Sequence, residues 1–321
     1  MTDILLVSLG ATAGLREADA EIAASLRRAG AEVVAAAVEL PPERRSFVLH
    51  DLGQARAARR AAEHALAEHR PRVILYSTVT AALLWPEPGA IRFDAPAAGN
   101  RPGRHGLWQR PRERRRLAEA RLLVPWSPGA LAEAPSPHAD AVVVPVPVEP
   151  SGGPAPERDI AAVTYAADAP KKGLDRVLAA WTAARRPGET LVVAGRDGPV
   201  PGEGVESAGL VWPQAFRALL RRARVYVTAP RREDYGLAQL KALAEGAILV
   251  TTPAPGPYAA LTIARDLDPR LVSDDLAGAL RAALQDPAPG YAERAAQGLA
   301  PYRRAAVDRT VADELLPRLL D

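Results

Sequence analysis

The sequence predicts an α/β protein of two doubly wound, Rossmann-like parallel-sheet domains facing a central cleft. Three observations predict it. Short Val/Ile/Leu-rich runs alternate with longer alanine-rich helical stretches, the pattern of βαβ units whose strands are buried on both faces. The most Pro/Gly/Ser-rich stretch, Glu149-Pro-Ser-Gly-Gly-Pro-Ala-Pro-Glu157, falls near the midpoint, and the alternation restarts after it. The 321 residues suffice for two separate cores.

In the first half, strands are expected near Ile4 to Ser8, Glu32 to Val38, Arg72 to Tyr76, Ala90 to Phe93, Leu122 to Val124 and Val142 to Val144. Helices fill the gaps, most clearly from Arg16 to Arg28 and from Leu52 to Glu68. The second half reads as strand Asp159 to Thr164, helix Leu174 to Arg185, strand Thr190 to Ala194, helix Gln214 to Arg222, strand Val225 to Thr228, helix Leu237 to Glu245 and strand Ile248 to Thr251. Ala305 to Leu320 carries a helical apolar spacing. The expected domains are therefore 1–150, 151–304, and a C-terminal helix, 305–321, that packs back on the first.

Apolar residues at 48% and charged residues at 25% are the balance of a soluble globular chain, not a disordered one. The absence of cysteine excludes disulfides, thiolate metal sites and a cysteine nucleophile. Met1 leads into Asp3-Ile-Leu-Leu-Val-Ser-Leu9, which has no basic flank and is too short for a signal peptide or a span, so a cytoplasmic setting is expected. The formal charge of +3 is small, but eight arginines stand between Arg101 and Arg121, around Trp108. Such a stretch is either a solvated helix or a peripheral contact with anionic lipid at the inner membrane face; nucleic acid is the weaker alternative.

Of 41 basic residues only Lys171, Lys172 and Lys241 are lysine, and all three fall in two short motifs. The run from Thr228 to Leu240, Thr-Ala-Pro-Arg-Arg-Glu-Asp-Tyr-Gly-Leu-Ala-Gln-Leu, leaves a strand, passes a loop and opens a helix at Gly236. Free N–H groups and the positive dipole end of such a helix suit phosphate oxygens, and glycine lets a ligand approach the backbone. Glu233, just ahead of this site, either accepts hydrogen bonds from sugar hydroxyls or only complements the dipole. Gly10-Ala-Thr-Ala-Gly14 follows the first strand and is either a ligand-lining loop or a plain turn, since it lacks the full Gly-x-Gly-x-x-Gly spacing.

Taken in order, Arg224-Val-Tyr-Val-Thr-Ala-Pro, Glu233-Asp-Tyr-Gly, Ala242-Leu-Ala-Glu-Gly and Ile248-Leu-Val-Thr-Thr-Pro resemble the signature of the family 4 retaining glycosyltransferases, which have the GT-B fold. Ala169-Pro-Lys-Lys-Gly-Leu-Asp is similar to the family's lysine-glycine segment, and Val143-Val-Pro-Val-Pro-Val-Glu-Pro to its interdomain turn. The resemblance covers most of residues 142 to 300 and is only architectural before that. It implies a hexosyltransferase that uses a nucleotide-sugar donor, UDP- or GDP-linked, with no cofactor and no metal. In it Lys172 would meet the diphosphate and Glu233 the donor sugar. The N–H groups of Gly236 and Leu237 would meet the phosphates, with Tyr235 beside them and Gly10 and Gly14 lining the donor side. Asp94 falls near a position that faces the acceptor and joins Glu233 and Lys172 as a catalytic candidate, with Asn100, Arg104 and His105 on the acceptor side. Lys171 is expected to be solvated.

Two positions depart from the family pattern. Lys241 stands where a second glutamate would accept from the ribose, and an ammonium has donors only. It would instead meet a phosphate or an acidic group on the donor, while Glu245, one turn on, reaches the ribose. The family's arginine five residues before Lys172 is Ala167 here, which leaves Arg196, Arg231 or Arg232 to substitute. Two rival readings remain: a non-catalytic relative that serves as a scaffold or nucleotide-sugar-binding regulator, and a nucleotide or nucleic-acid binder led by the arginine stretch.

Overall fold

The computed structural model describes residues 2–42, 46–101, 103–153 and 157–321; residues 154–156 of the expected linker lie outside the described residues. The chain divides into two compact units, Met1–Pro147 with Arg304–Asp321, and Val148–Arg303.

The first unit holds strands β1 (Ile4–Ser8), β2 (Val33–Ala37), β3 (Val73–Tyr76), β4 (Ala90–Phe93) and β5 (Leu123–Pro125) in a parallel sheet of order β2-β1-β3-β4-β5. Thr12 starts the helix Ala13–Arg28 by accepting the Leu15 amide at 3.2 Å, and Ile22, Ala23 and Leu26 seat it on the sheet. The opposite face is covered by the helix Phe47–His69, whose Ala55, Ala58 and Ala62 let it approach closely.

The C-terminal helical segment belongs to this unit. It runs Arg304–Thr310, Val311–Leu315 and Leu316–Leu320, and Val307, Val311, Leu315 and Leu319 join the core of Ile4, Leu6 and Ile22. Asp308 receives Arg28 at 2.7 Å and the Ser25 hydroxyl at 2.5 Å, and Arg304 pairs with Glu21.

The expected sixth strand at Val142–Val144 does not form. Only one bridge, Leu123 to Ala141, links this stretch to β5. The Val142 and Val144 amides donate to the Leu123 and Pro125 carbonyls at 2.9 Å, but Pro125 has no N–H to return a bond, and the ladder ends there.

The second unit holds β6 (Ile160–Tyr165), β7 (Leu191–Ala194), β8 (Val205–Gly209), β9 (Ala223–Thr228) and β10 (Ile248–Thr251) in the parallel order β10-β9-β6-β7-β8. Its helices include Leu174–Ala184, Pro213–Arg222, Leu237–Ala244, Ala259–Leu267, Leu276–Gln285 and Tyr291–Gly298. From β6 the chain adds β7 and β8 on one side, then returns to lay β9 and β10 on the other. The strand order therefore reverses between β6 and β9, and the loops after these two strands flank the crevice where open α/β sheets take ligands.

Candidate functional site

After β6, Asp168 caps the single turn Ala169–Lys172 by accepting the Lys171 amide at 3.1 Å. Gly173 ends the turn at φ 65°, and a Cβ there would lie 1.9 Å from the Ala229 carbonyl oxygen. Only glycine lets the loop after β6 lie this close to the loop after β9. The Arg231 amide then donates to the Lys171 carbonyl at 3.0 Å, while its guanidinium reaches the Pro170 carbonyl at 3.2 Å and Asp175 at 2.8 Å.

The two loops bring Lys172 and Glu233 together. Lys172 Nζ donates to Glu233 Oε2 at 2.7 Å, and Gln239 Nε2 donates to the same oxygen at 3.0 Å. Glu233 is only 5% exposed, yet both donors take Oε2, and Oε1 has no protein donor among the described residues. The Glu233 amide donates to the Pro255 carbonyl at 3.1 Å, and the loop after β10 presses so close that a Cβ on Gly256, at φ 112°, would sit 2.3 Å from the Glu233 carbonyl oxygen. Three strand ends thus fix one carboxylate.

Asp234 points the other way. Lys171 Nζ lies 2.9 Å and Arg232 Nε 2.8 Å from its two oxygens. Burial pushes its carboxyl up, but these two cations outweigh burial and hold it below the usual aspartate range. Lys171 is exposed, as expected, but it is not idle: its ammonium fastens one loop to the other through the buried Asp234 carboxylate. Arg231 and Arg232, expected as stand-ins for the missing arginine, serve the same fastening.

Gly236 adopts φ 87° and caps the helix Leu237–Ala244; a Cβ on it would meet the Tyr258 ring at 2.7 Å. The helix start at Leu237 follows, with the first-turn amides that an α-helix leaves without intrahelical partners. Tyr235 is buried, and its carbonyl accepts the Ala259 amide at 3.1 Å. Lys241 is 8% exposed on the same helix. Glu245 is committed to structure: its Oε1 accepts from Arg217 at 2.7 Å and from the Ser151 amide at 2.9 Å, so it braces the first turn of the unit instead of offering itself to a ribose. Arg196 follows β7 at the same edge of the sheet and is half-buried.

In the first unit Gly10 follows β1 at φ 55°, and its carbonyl accepts from Arg16 at 2.8 Å. Gly14 is not in that loop; it lies in the first turn of the helix capped by Thr12. Asp94 follows β4 and accepts the Ala95 amide at 2.9 Å. Asn100 closes the turn Ala97–Asn100, which is held from below by Glu113 through the Ala97 amide at 2.6 Å. Burial pushes the Glu113 carboxyl up to about 7, against the pull of the Ala97 and Ala98 amides and Arg101. Arg101 in turn pairs with buried Asp51 at 3.0 Å.

The arginine stretch is partly consumed by structure. Arg110 donates to the Gly103 carbonyl, Arg115 and Arg116 pair with Glu119, and Arg112 lies over Trp108. Arg104 and Arg114 are exposed, as are His105, which packs edge-on against Phe47 at 5.3 Å, and the apolar Phe47, Leu49 and Leu107.

Gln239, Asp234, Tyr258 and Glu113 were not anticipated. Gln239 did leave a signal: in a helix made of Leu and Ala apart from Gln239 and Lys241, a polar side chain must be either buried with a partner or isolated on the outer face. Glu113 left none, since it sits among arginines that suggest a solvated face.

Residues 158–286 match the model of the family described as "Glycosyl transferases group 1". No curated protein matches the chain in sequence. Among solved structures, the chain is similar to WaaG, a glycosyltransferase involved in lipopolysaccharide biosynthesis, at TM-score 0.72 and 15% identity over 98% of this chain and 99% of that one. It is similar to a sucrose-phosphate synthase from Thermosynechococcus elongatus at 0.70 and 14%, over 99% of both chains. A UDP-forming α,α-trehalose-phosphate synthase from Burkholderia xenovorans, in complex with glucose-6-phosphate, matches at 0.62 and 15% over 86% of this chain and 81% of that one. The chain thus has the GT-B fold, two parallel-sheet α/β domains of five strands each. Among the described residues no group of three or more His, Cys, Asp or Glu is placed to hold a metal ion, and no helix is long and apolar enough to cross a membrane.

Proposed function

We propose that this protein is a glycosyltransferase that moves a hexosyl group, with retention and without a metal, from a UDP- or GDP-linked sugar to an acceptor taken by the first unit. One arrangement carries the reading. Beside the reversal of strand order in the second sheet, Lys172 and Gln239 hold Glu233 by Oε2 and leave Oε1 for a sugar hydroxyl. The segment matched by the glycosyltransferase family model contains all three residues. The activities named for the similar structures support the same class.

Glycosyl transfer breaks the bond between C1 and the diphosphate oxygen and forms one from C1 to an acceptor oxygen. The acceptor's proton leaves on the departing diphosphate. Negative charge grows on that diphosphate, and a pre-placed cation and helix-end amides stabilise it without reorganising. An ammonium has three donors; one serves Glu233, and two remain for phosphate oxygens. Glu233 Oε1 holds the sugar in its reactive pose, and Asp94 with Asn100, Arg104 and His105 faces the acceptor.

A second observation favours peripheral contact with an anionic bilayer. Phe47, Leu49 and Leu107 stand exposed, as does Arg104 next to the His105 that packs on Phe47, and exposed apolar side chains with a cation nearby suit a lipid interface.

The test is a thermal-shift panel of UDP, GDP, ADP, CDP and TDP and their sugar conjugates, followed by a transfer assay with whichever donor binds. A ligand at 100 times its dissociation constant adds about 2.7 kcal/mol of stability. No response from any member of the panel would favour a scaffold over an enzyme.

A further inference from the structure

Buried neutral polar side chains surround Glu233. Gln239 is 1% exposed, and its Nε2 donates to Glu233 Oε2 at 3.0 Å. On the loop after β10, the buried Tyr258 hydroxyl shares a hydrogen bond with Thr251 Oγ1 at 3.1 Å. Thr251 is the last residue of β10, so Tyr258 is tied to the sheet. Burial, with the Glu233 charge nearby, pushes the Tyr258 phenol up, which keeps its proton in place. Lys172 reaches the same oxygen of Glu233 from the opposite loop at 2.7 Å.

Two donors on one carboxylate oxygen, from two different elements, fix the rotation of the carboxylate plane. A single donor would leave it free to turn about its last torsion, which is broad and roughly two-fold for glutamate. Lys172 keeps one donor on Oε2 but shares its ammonium with the diphosphate, so its hold follows the ligand. Gln239 has no such second task, and its position on the helix Leu237–Ala244 does not depend on a ligand. Placing an amide here is not free of cost, since Gln239 Oε1 is buried with no geometric hydrogen-bond partner among the described residues, a condition that ordinarily destabilises.

We propose that Gln239 is a positioning residue: buried on the helix Leu237–Ala244, it holds Glu233 by Oε2 so that Oε1 is presented to a hydroxyl of the donor sugar. This rests on the reading of Glu233 as the sugar contact.

The test compares the full-length wild type with Gln239→Leu and Gln239→Glu, using the nucleotide sugar that the wild type turns over and its bare nucleoside diphosphate. Gln239→Leu should bind the diphosphate within about twofold of wild type and lose about 100-fold in kcat, the scale of a misplaced reactive pose. Gln239→Glu puts two carboxyls on one hydrogen bond, which they can share only while one is protonated. Its activity should approach wild type at low pH and fall as pH rises, a limb absent from the wild-type profile. This second variant decides the matter if Gln239→Leu fails to fold. Wild-type kcat in Gln239→Leu, or a Gln239→Glu profile parallel to wild type, overturns the proposal while the glycosyltransferase reading stands. Loss of diphosphate binding together with turnover would make Gln239 a fold element and also overturn it. Absence of wild-type turnover with every donor sinks both.

Discussion

Glu113 makes the stability of the first unit depend on pH in a direction that can be worked out beforehand. The carboxyl is 1% exposed and is pushed from an ordinary 4.5 up to about 7. Between these values the unfolded chain has released a proton that the folded chain keeps, so stability falls as pH rises and levels off above about 7. Below 4.5 both states are protonated and the group contributes nothing. The gap corresponds to about 3 kcal/mol. Glu113→Gln keeps an oxygen for the Ala97 amide and removes the titration. Urea unfolding of both proteins from pH 4.5 to 8 isolates the effect, because every other titrating group cancels in the difference. Near pH 4.5 the two should be close in stability; above pH 7 the variant should be the more stable by up to about 3 kcal/mol. Amide exchange at Ala97 and Ala98 should follow the same course locally. A difference that stays constant across this range would refute the reasoning.

Lys172→Ala should weaken diphosphate binding by about 1.5 to 3 kcal/mol, as loss of a charge-assisted bond does, and more than Lys171→Ala, whose cost falls on the Asp234 fastening. Equal losses of binding in calorimetry would remove the assignment. Glu233→Gln should keep the fold and slow transfer; a wild-type rate would reduce Glu233 to a partner of the helix dipole. Lys241→Glu inverts a charge on a buried face and should weaken nucleotide binding in a salt-sensitive way, whereas tighter binding by the variant would show that a ribose acceptor had been restored. In vesicle sedimentation, the double variant Leu49→Ser, Leu107→Ser should lose affinity for anionic but not neutral bilayers, and unchanged binding to anionic vesicles would discard the membrane contact.

The fold was legible because nine of the ten strands are aliphatic runs that local pattern can register, and several bounds were met within a residue, as at Ile4–Ser8 and Ile248–Thr251. The tenth, Val205–Gly209, reads Val-Glu-Ser-Ala-Gly and lies half-exposed at the sheet edge, where no apolar run is required. Val142–Val144 misled for the opposite reason: the run looks like a strand, but whether it becomes one depended on Pro125, a residue in its neighbour. In the site, Lys172 and Glu233 were legible as motif residues, yet their direct bond spans 61 positions and no local pattern encodes it. The ion pairs of Lys171 and Glu245 went unforeseen on the same ground, since their partners, Asp234 and Arg217, come from distant loops and helices.

Pro125 has a bearing on how the chain survives at high concentration. A parallel sheet that ends on a bare strand offers a row of free amides and carbonyls to any other strand, the usual seed of edge-to-edge assembly. Here the boundary strand carries a proline, and the stretch laid against it reads Val142-Val-Val-Pro-Val-Pro-Val148, with Pro145 and Pro147 following the last amides that pair with β5. A foreign strand arriving at this border would meet half-buried Pro145, which has no donor, while Pro147 is already buried. At this one border of the sheet, proline limits pairing within the molecule through Pro125 and disfavours a further strand through Pro145.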